Sequence, residues 1–377
     1  MKVYLDNAAT TPIDEDVWKS MEPFLKEHFG NPSSTHSFGR TAKNGVESAR
    51  RSIAKVLNVQ PGQIIFTGSG TEANNTILHS AVRKGVKHII TSPIEHHAVL
   101  HTLEALEITE EIEISYVNLD INGNVELEHL ELLLNKYSGK NTLVSLMHVN
   151  NEIGTILPLE KVGGICKRYG VLFHSDTVQS IGTLPINLSD SLVDFATCSA
   201  HKFHGPKGVG FIYVSDISRL SSFIHGGGQE RGHRAGTENV ASIIGMSKAL
   251  EKAVEAMDQN LAHLIKLKSH FLKGIEQISN KVQVVGNIEE NLASPKILNL
   301  CFPEKLIDDL FLFNLDLKGV AASGGSACSS GSNQGSHVIP LIKGISDCRA
   351  IRFSFSKFNT LEEIDYALSQ IRSIVSN

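Results

Sequence analysis

The sequence predicts an α/β fold: a mostly parallel sheet with helices on both faces, followed by a smaller α+β unit. Three observations carry this expectation. From residue 46 to 215, helical periodicity alternates with short apolar runs, the pattern of strand–helix–strand units. The apolar runs at 194–198 and 208–214 are joined by a linker too short for a helical crossover, so the second should run antiparallel to the first. After a long helical stretch at 237–280, strands and single helices mix differently. A boundary near residue 256 is expected, with residues 14–256 as the large unit and residues 1–13 and 257–377 as the small one.

Along the chain, residues 64–66 read as a strand and 71–83 as a helix, then 88–91 as a strand and 95–107 as a helix. Strands at 112–117, 142–146 and 171–174 alternate with helices at 126–135 and 158–168. In the second unit, strands are expected at 282–285, 296–301, 320–321 and 350–354, with helices at 304–313, 334–343 and 361–375. Asp258-Gln259-Asn260 is a candidate break in the long helical stretch.

Composition narrows the function. At 377 residues and 41% hydrophobic, the chain can bury one large core and a smaller one. Net charge is −5 and no Lys/Arg block stands out, so direct nucleic-acid binding has no electrostatic footprint. No apolar run reaches transmembrane length, and Met1-Lys2-Val3-Tyr4-Leu5-Asp6 meets an acid at once, unlike a signal peptide. The five cysteines are too few and too scattered for a disulfide framework, and a reducing cytoplasm is the expected setting. Cys166, Cys198 and Cys301 lie in or beside apolar runs and read as core residues, and Cys348 as structural.

Several constellations could carry chemistry. Thr67-Gly68-Ser69-Gly70-Thr71 follows a strand and opens a helix. Free backbone N–H groups and the helix dipole there suit a phosphate, although Thr71 could simply cap the helix. Asp176, at the end of an apolar strand, could pair with a protonated heteroaromatic nitrogen or cap the next helix. Lys202, just past another buried strand in Ser199-Ala200-His201-Lys202, is oddly placed for a surface lysine. Desolvation and neighbouring cations would lower its pKa, which suits a Schiff base. His96 opens a helix beyond a strand and reads as a pocket residue; His97 and His101 lack companions with zinc spacing, so no metal is expected. Arg352, inside an apolar strand, needs a carboxylate from an internal acid or from a substrate. Cys328 sits in Ser323-Gly324-Gly325-Ser326-Ala327-Cys328-Ser329-Ser330-Gly331-Ser332, which offers a thiol no core. That stretch reads as a reactive thiol on a loop or as a linker.

Taken in series, these stretches resemble the cysteine desulfurases of the NifS/IscS type, in the class V aminotransferase family of pyridoxal-phosphate enzymes. The resemblance runs nearly end to end. It rests on Tyr4 to Thr11, Gly30-Asn31-Pro32-Ser33-Ser34 with His36, Gly70 to Asn75, Glu95-His96, and Asn150 to Thr155. It continues through Asp176, Gln179, Ser199, His201-Lys202, Gly226 to Glu230, Arg234 to Asn239, and Gly325 to Cys328. The resemblance implies fold type I of these enzymes, with a seven-stranded sheet in the large domain. It implies that Lys202 forms the internal aldimine and that His96 stacks on the ring. Asp176 would hold the pyridinium proton and Gln179 the phenolic oxygen, with Asn151 close by and touching the substrate. Gly70, Thr71, Ser199 and His201 would bind the phosphate, and Thr237 would reach it from the other subunit of a homodimer. Arg352 would take the carboxylate of L-cysteine, and Cys328 would accept its sulfur as a persulfide, leaving alanine. A sulfur-acceptor protein would then receive that sulfur, for iron–sulfur cluster assembly or for thiolation. Cys328 precedes Arg352 by 24 residues, near the longer spacing of the NifS/IscS branch. Two departures stand out. Ser356-Lys357 replaces the family's usual Gly-Arg, and the chain stops soon after its last expected helix. It is therefore expected to lack the extension with which IscS-type enzymes dock an iron–sulfur scaffold.

Overall fold

The computed structural model describes residues 1–324, 335–345 and 347–375. Cys328 and the start of the helix expected at 334–343 lie outside the described residues. The chain opens with a short strand, β1 (Val3–Tyr4), and two helices, α1 (Glu15–Lys26) and α2 (Ser37–Val56). Asp14 caps α1 by accepting from the Asp16 amide, and His36 caps α2 through the Gly39 amide. Strand and helix then alternate: β2 (Ile64–Thr67), α3 (Gly70–Arg83), β3 (His88–Thr91), α4 (His97–Glu110), β4 (Glu113–Tyr116), α5 (Leu127–Lys136) and β5 (Thr142–Ser145). Next come α6 (Leu159–Tyr169), β6 (Leu172–Asp176), β7 (Phe195–Ser199) and β8 (Gly210–Val214). Gly170, at φ +64°, ends α6 in the left-handed conformation that glycine adopts without strain.

These strands form one seven-stranded sheet in the order β2-β8-β7-β6-β5-β3-β4. The pairs from β4 through β3, β5 and β6 to β7 are parallel, and β8 runs antiparallel to both β7 and β2. The short linker ahead of β8 thus has its expected consequence. Strands β2, β3, β5, β7 and β8 are buried along their whole length because both faces are covered. Alternate residues serve the two sides. Phe211 and Tyr213 join a core with α1 and α2 (Val17, Met21, Val46, Ile53), whereas Ile212 and Val214 join one with α3 and α4 (Ile77, Val99, Leu103).

The expected long helical stretch is two helices, α7 (Val240–Glu255) and α8 (Met257–Ile278), meeting at Ala256. Beyond them lie β9 (Gln283–Val285), β10 (Ile297–Pro303), α9 (Phe311–Leu317), β11 (Val320–Ala321), β12 (Cys348–Ser354) and α10 (Leu361–Val375). Strands β12, β10 and β9 form an antiparallel sheet, and β1 pairs with β11. Val3 and Leu5 join Phe271, Leu300, Phe353 and Leu368 in a third core, apart from the two that cover the large sheet.

Three expectations need correction. The helix at 304–313 begins only at Phe311, because Asp308 accepts from the Leu310 amide and shapes a turn instead. Within 335–343, only Ile339–Leu341 forms a turn of 3₁₀ helix. Cys301 and Cys348 are joined as a disulfide with Cα atoms 5.5 Å apart. Neighbouring antiparallel strands bring them together across 47 residues, a proximity that linear spacing does not reveal. Among the described residues, no helix is long and apolar enough to cross a membrane, and no group of three or more His, Cys, Asp or Glu could hold a metal ion.

Candidate active site

The C-terminal edge of the parallel strands, where open α/β sheets hold ligands, carries the site. It is a cavity of about 200 Å³. The turn after β2 supplies Ser69, which caps α3 by accepting from the Glu72 amide, and so leaves the first turn of α3 facing the cavity. Glu72 would repel an anion there, but its carboxylate is turned to Arg234 at 2.8 Å and to the Gly68 amide at 2.9 Å. A Cβ on Gly70 would lie 2.8 Å from Val178 Cγ2, so this wall has no room for a side chain.

Asp176 closes β6. It accepts from Asn74 Nδ2 at 2.7 Å and from the Val178 amide at 3.0 Å. Past β7, a 3₁₀ turn (Ala200–Lys202) presents Lys202, whose Nζ donates to the carbonyls of Ala8 (2.7 Å) and Ala9 (2.8 Å). Gln179 Nε2 donates to the same Ala8 oxygen, while its buried Oε1 has no hydrogen-bond partner among the described residues. His201 Nδ1 lies 3.1 Å from Thr10 Oγ1. Burial, with Lys202, Lys296 and Lys207 nearby, pulls the His201 pKa down to about 3, so the ring is neutral.

His96 is the N-cap of α4, and its Nδ1 accepts from the Ala98 amide at 3.0 Å. Burial lowers its pKa, against the pull of Asp176. The neutral ring therefore carries its hydrogen on Nε2. Glu95, beside it, is buried with its pKa raised well above the carboxylate range by desolvation. Arg352, on β12, is 1% exposed and is paired internally, to Asp6 Oδ1 at 2.9 Å and to the Asn151 carbonyl at 2.7 Å. Its Nε has no partner among the described residues.

Gly70, Thr71, His96, Asn151, Asp176, Gln179, Ser199, His201, Lys202 and Arg352 thus share one cavity. Thr237 does not. It is exposed and lines a separate hollow with Gly68, Arg234 and Glu238. Sequence reasoning gave no role to Asn74, although a polar residue on the buried face of α3 was a usable signal. The Ala8 and Ala9 carbonyls and Lys296 gave no local signal.

The aminotransferase class-V family model matches residues 3–367. The chain is 43% identical to the cysteine desulfurase IscS of Dictyoglomus turgidum, over 99% of this chain and 94% of that one. It is 42% identical to a Bacillus subtilis protein named putative cysteine desulfurase IscS 1, over 99% and 98% of the two chains. A solved NifS-like protein superposes with a TM-score of 0.92 at 39% identity, covering both chains completely. A NifS-like protein from Rickettsia africae does so at 0.89 and 32%, again over the whole of each chain. From its third residue to its last helix, then, the chain belongs to the class-V aminotransferase family, within the pyridoxal-phosphate-dependent cysteine desulfurases.

Proposed function

We propose that the cavity holds pyridoxal phosphate and L-cysteine together, and that Cys328 receives the cysteine sulfur. The residues present suit the coenzyme. The first turn of α3, with Gly70, Thr71, Ser199 and the neutral His201, offers donors for a phosphate. The unpartnered Gln179 Oε1 offers a polar contact, and Asp176 offers a carboxylate for a protonated ring nitrogen. When bound, the coenzyme draws electron density from the substrate's Cα, which makes the Cβ–S bond breakable.

The chain's residues do the rest. Lys202 binds the coenzyme and then carries the Cα proton. His96, which lines the cavity with Nδ1 held by the Ala98 amide, would flank a bound ring and serve proton transfer through Nε2. Arg352, already oriented by Asp6 and Asn151, takes the substrate carboxylate, with Asn151 alongside. The Cys328 thiolate attacks the substrate sulfur. The S–S bond forms as the Cβ–S bond breaks, the electron pair stays on Cβ, and a proton completes alanine. Cysteine and a thiol become alanine and a persulfide, with atoms and electrons balanced. A sulfur-acceptor protein of iron–sulfur assembly or of a thiolation route takes the sulfur onward.

The reading includes a homodimer in which Thr237 reaches the partner's phosphate site, supported by its exposure outside its own cavity. It includes the two-domain division near residue 256, supported by the separate apolar cores. A reducing cytoplasm suits a transfer thiol, although the Cys301–Cys348 bond pulls the other way.

The observation that carries this reading is the convergence of Lys202, Asp176, His96 and Arg352 from four separate elements on one cavity. The test is L-cysteine turnover with detection of alanine and of a persulfide on Cys328. Lys202→Ala should lose the coenzyme's lysine-bound absorption band, and Cys328→Ala should lose persulfide and sulfide release. Full sulfide release by Cys328→Ala would overturn it.

A further inference from the structure

Lys296 precedes β10 and is 3% exposed. Its backbone is tied at both ends: its amide donates to Ser294 Oγ at 3.3 Å, and its carbonyl accepts from the Phe355 amide at 2.8 Å. Its Nζ donates to the main-chain carbonyl of Lys202 at 2.7 Å. A buried lysine normally needs a carboxylate. Among the described residues, no carboxylate lies within ion-pairing distance of this one.

The charged and titratable groups around it are mostly basic. Lys202 and Arg352 act on it as like charges. His201 and His204 feel its charge and are themselves neutral, with pKa values near 3 and 4. Lys357 shares a small hollow with it and is paired with Asp14 at 2.6 Å. The acids on these elements are already engaged, Asp14 by Lys252 and Lys357 and Asp6 by Arg352. Burial, then Lys202 and Arg352, bring the Lys296 pKa down to about 7.

We propose that Lys296 is a positioning residue for Lys202: its buried ammonium holds the carbonyl of the turn that presents Lys202 and sets a second cation beside the coenzyme-binding lysine. The inference rests on the reading of Lys202 as the coenzyme-binding residue. That second cation acts in one direction. A cationic neighbour disfavours protonation of the Lys202 nitrogen, so removing the neighbour must raise that nitrogen's affinity for protons.

The experiment is a pH titration of the visible absorption band of the holoenzyme, in wild type, Lys296→Met, Lys296→Gln and Lys202→Ala. Lys296→Gln keeps a donor for the Lys202 carbonyl but no charge; Lys296→Met keeps neither. The midpoint should rise by about half to one pH unit in both Lys296 variants. Coenzyme affinity should fall several-fold in Lys296→Met and stay near wild type in Lys296→Gln. Thermal unfolding of each variant reports that it is folded. Unchanged midpoints in both folded variants overturn the proposal. A wild-type band in Lys202→Ala overturns the reading beneath it, and the proposal with it, and is told apart because it shows in that variant alone.

Discussion

Ser336 donates a 2.5 Å hydrogen bond to Glu152, a carboxylate with no solvent exposure that lies 184 residues earlier in the chain. The same Ser336 oxygen accepts from the Val338 and Ile339 amides, each at 3.0 Å. His337 adds Nε2, 2.9 Å from the Glu95 carbonyl, and its Nδ1 lies 3.8 Å from the other Glu152 oxygen. The segment eight residues beyond Cys328 is thus fastened beside Asn151 and His96. Ser336→Ala removes one donor and one acceptor from this knot. The amides of Val338 and Ile339 should then exchange about tenfold faster, the equivalent of ~1.4 kcal/mol. Hydrogen exchange read by mass spectrometry checks this, and unchanged protection there would show that the knot is not what holds the segment.

Arg352 meets Asp6 and Asn151 through two different nitrogens. A lysine is a point charge and cannot reproduce that fork. Arg352→Lys should therefore raise KM for L-cysteine by roughly ten- to a hundredfold, or about 1.4–3 kcal/mol, with a smaller change in kcat. Steady-state kinetics separate the two, and an unaltered KM would remove Arg352 from substrate binding.

At Gly70 an added methyl meets Val178 Cγ2 at 2.8 Å, on the wall of the cavity. Either Val178 shifts or the α3 turn does. Gly70→Ala should weaken coenzyme binding about tenfold, roughly 1.4 kcal/mol, with little change in the unfolding temperature. A titration of the apoenzyme with pyridoxal phosphate reads the affinity. Wild-type affinity would place the phosphate elsewhere.

His174 is buried in β6 with Nδ1 2.9 Å from Ser145 Oγ, and burial lowers its pKa from 6.5 to about 4. His148 is displaced in the same way. Between pH 6.5 and 4 the unfolded chain binds these protons and the folded chain does not. The stability they contribute is therefore complete above pH 6.5 and is lost as the pH falls toward 4. His174→Gln, which does not titrate, should show a shallower fall in unfolding temperature across that window. Identical slopes for variant and wild type would contradict the assignment.

Much of the fold was legible because the strands are apolar runs and the helices are periodic with recognisable starts. The parallel strands from β3 to β7, and the reversal at β8, come from linker lengths and patterning. Most of the candidate site was legible too, because its residues sit at strand ends and helix starts: Asp176 ends β6, Ser199 ends β7, and His96 caps α4. The misses share a cause. The turn at Asp308 hides inside an apolar run, and the Cys301–Cys348 bond depends on cross-strand neighbours.

The sequence alone determined the order of elements, the class of sheet and the residue types available for chemistry, because these depend on local periodicity and on which side chains can titrate or attack. Only the tertiary structure decided who meets whom. Lys202 rests on carbonyls from the N-terminal segment, Arg352 is held by Asp6, and Lys296 reaches the Lys202 carbonyl from the start of β10. Those partners are distant in sequence and include backbone carbonyls, which every residue possesses and no motif can mark. Their selection is a matter of packing, which brings segments far apart in the chain to one cavity and gives each of these charges a specific partner.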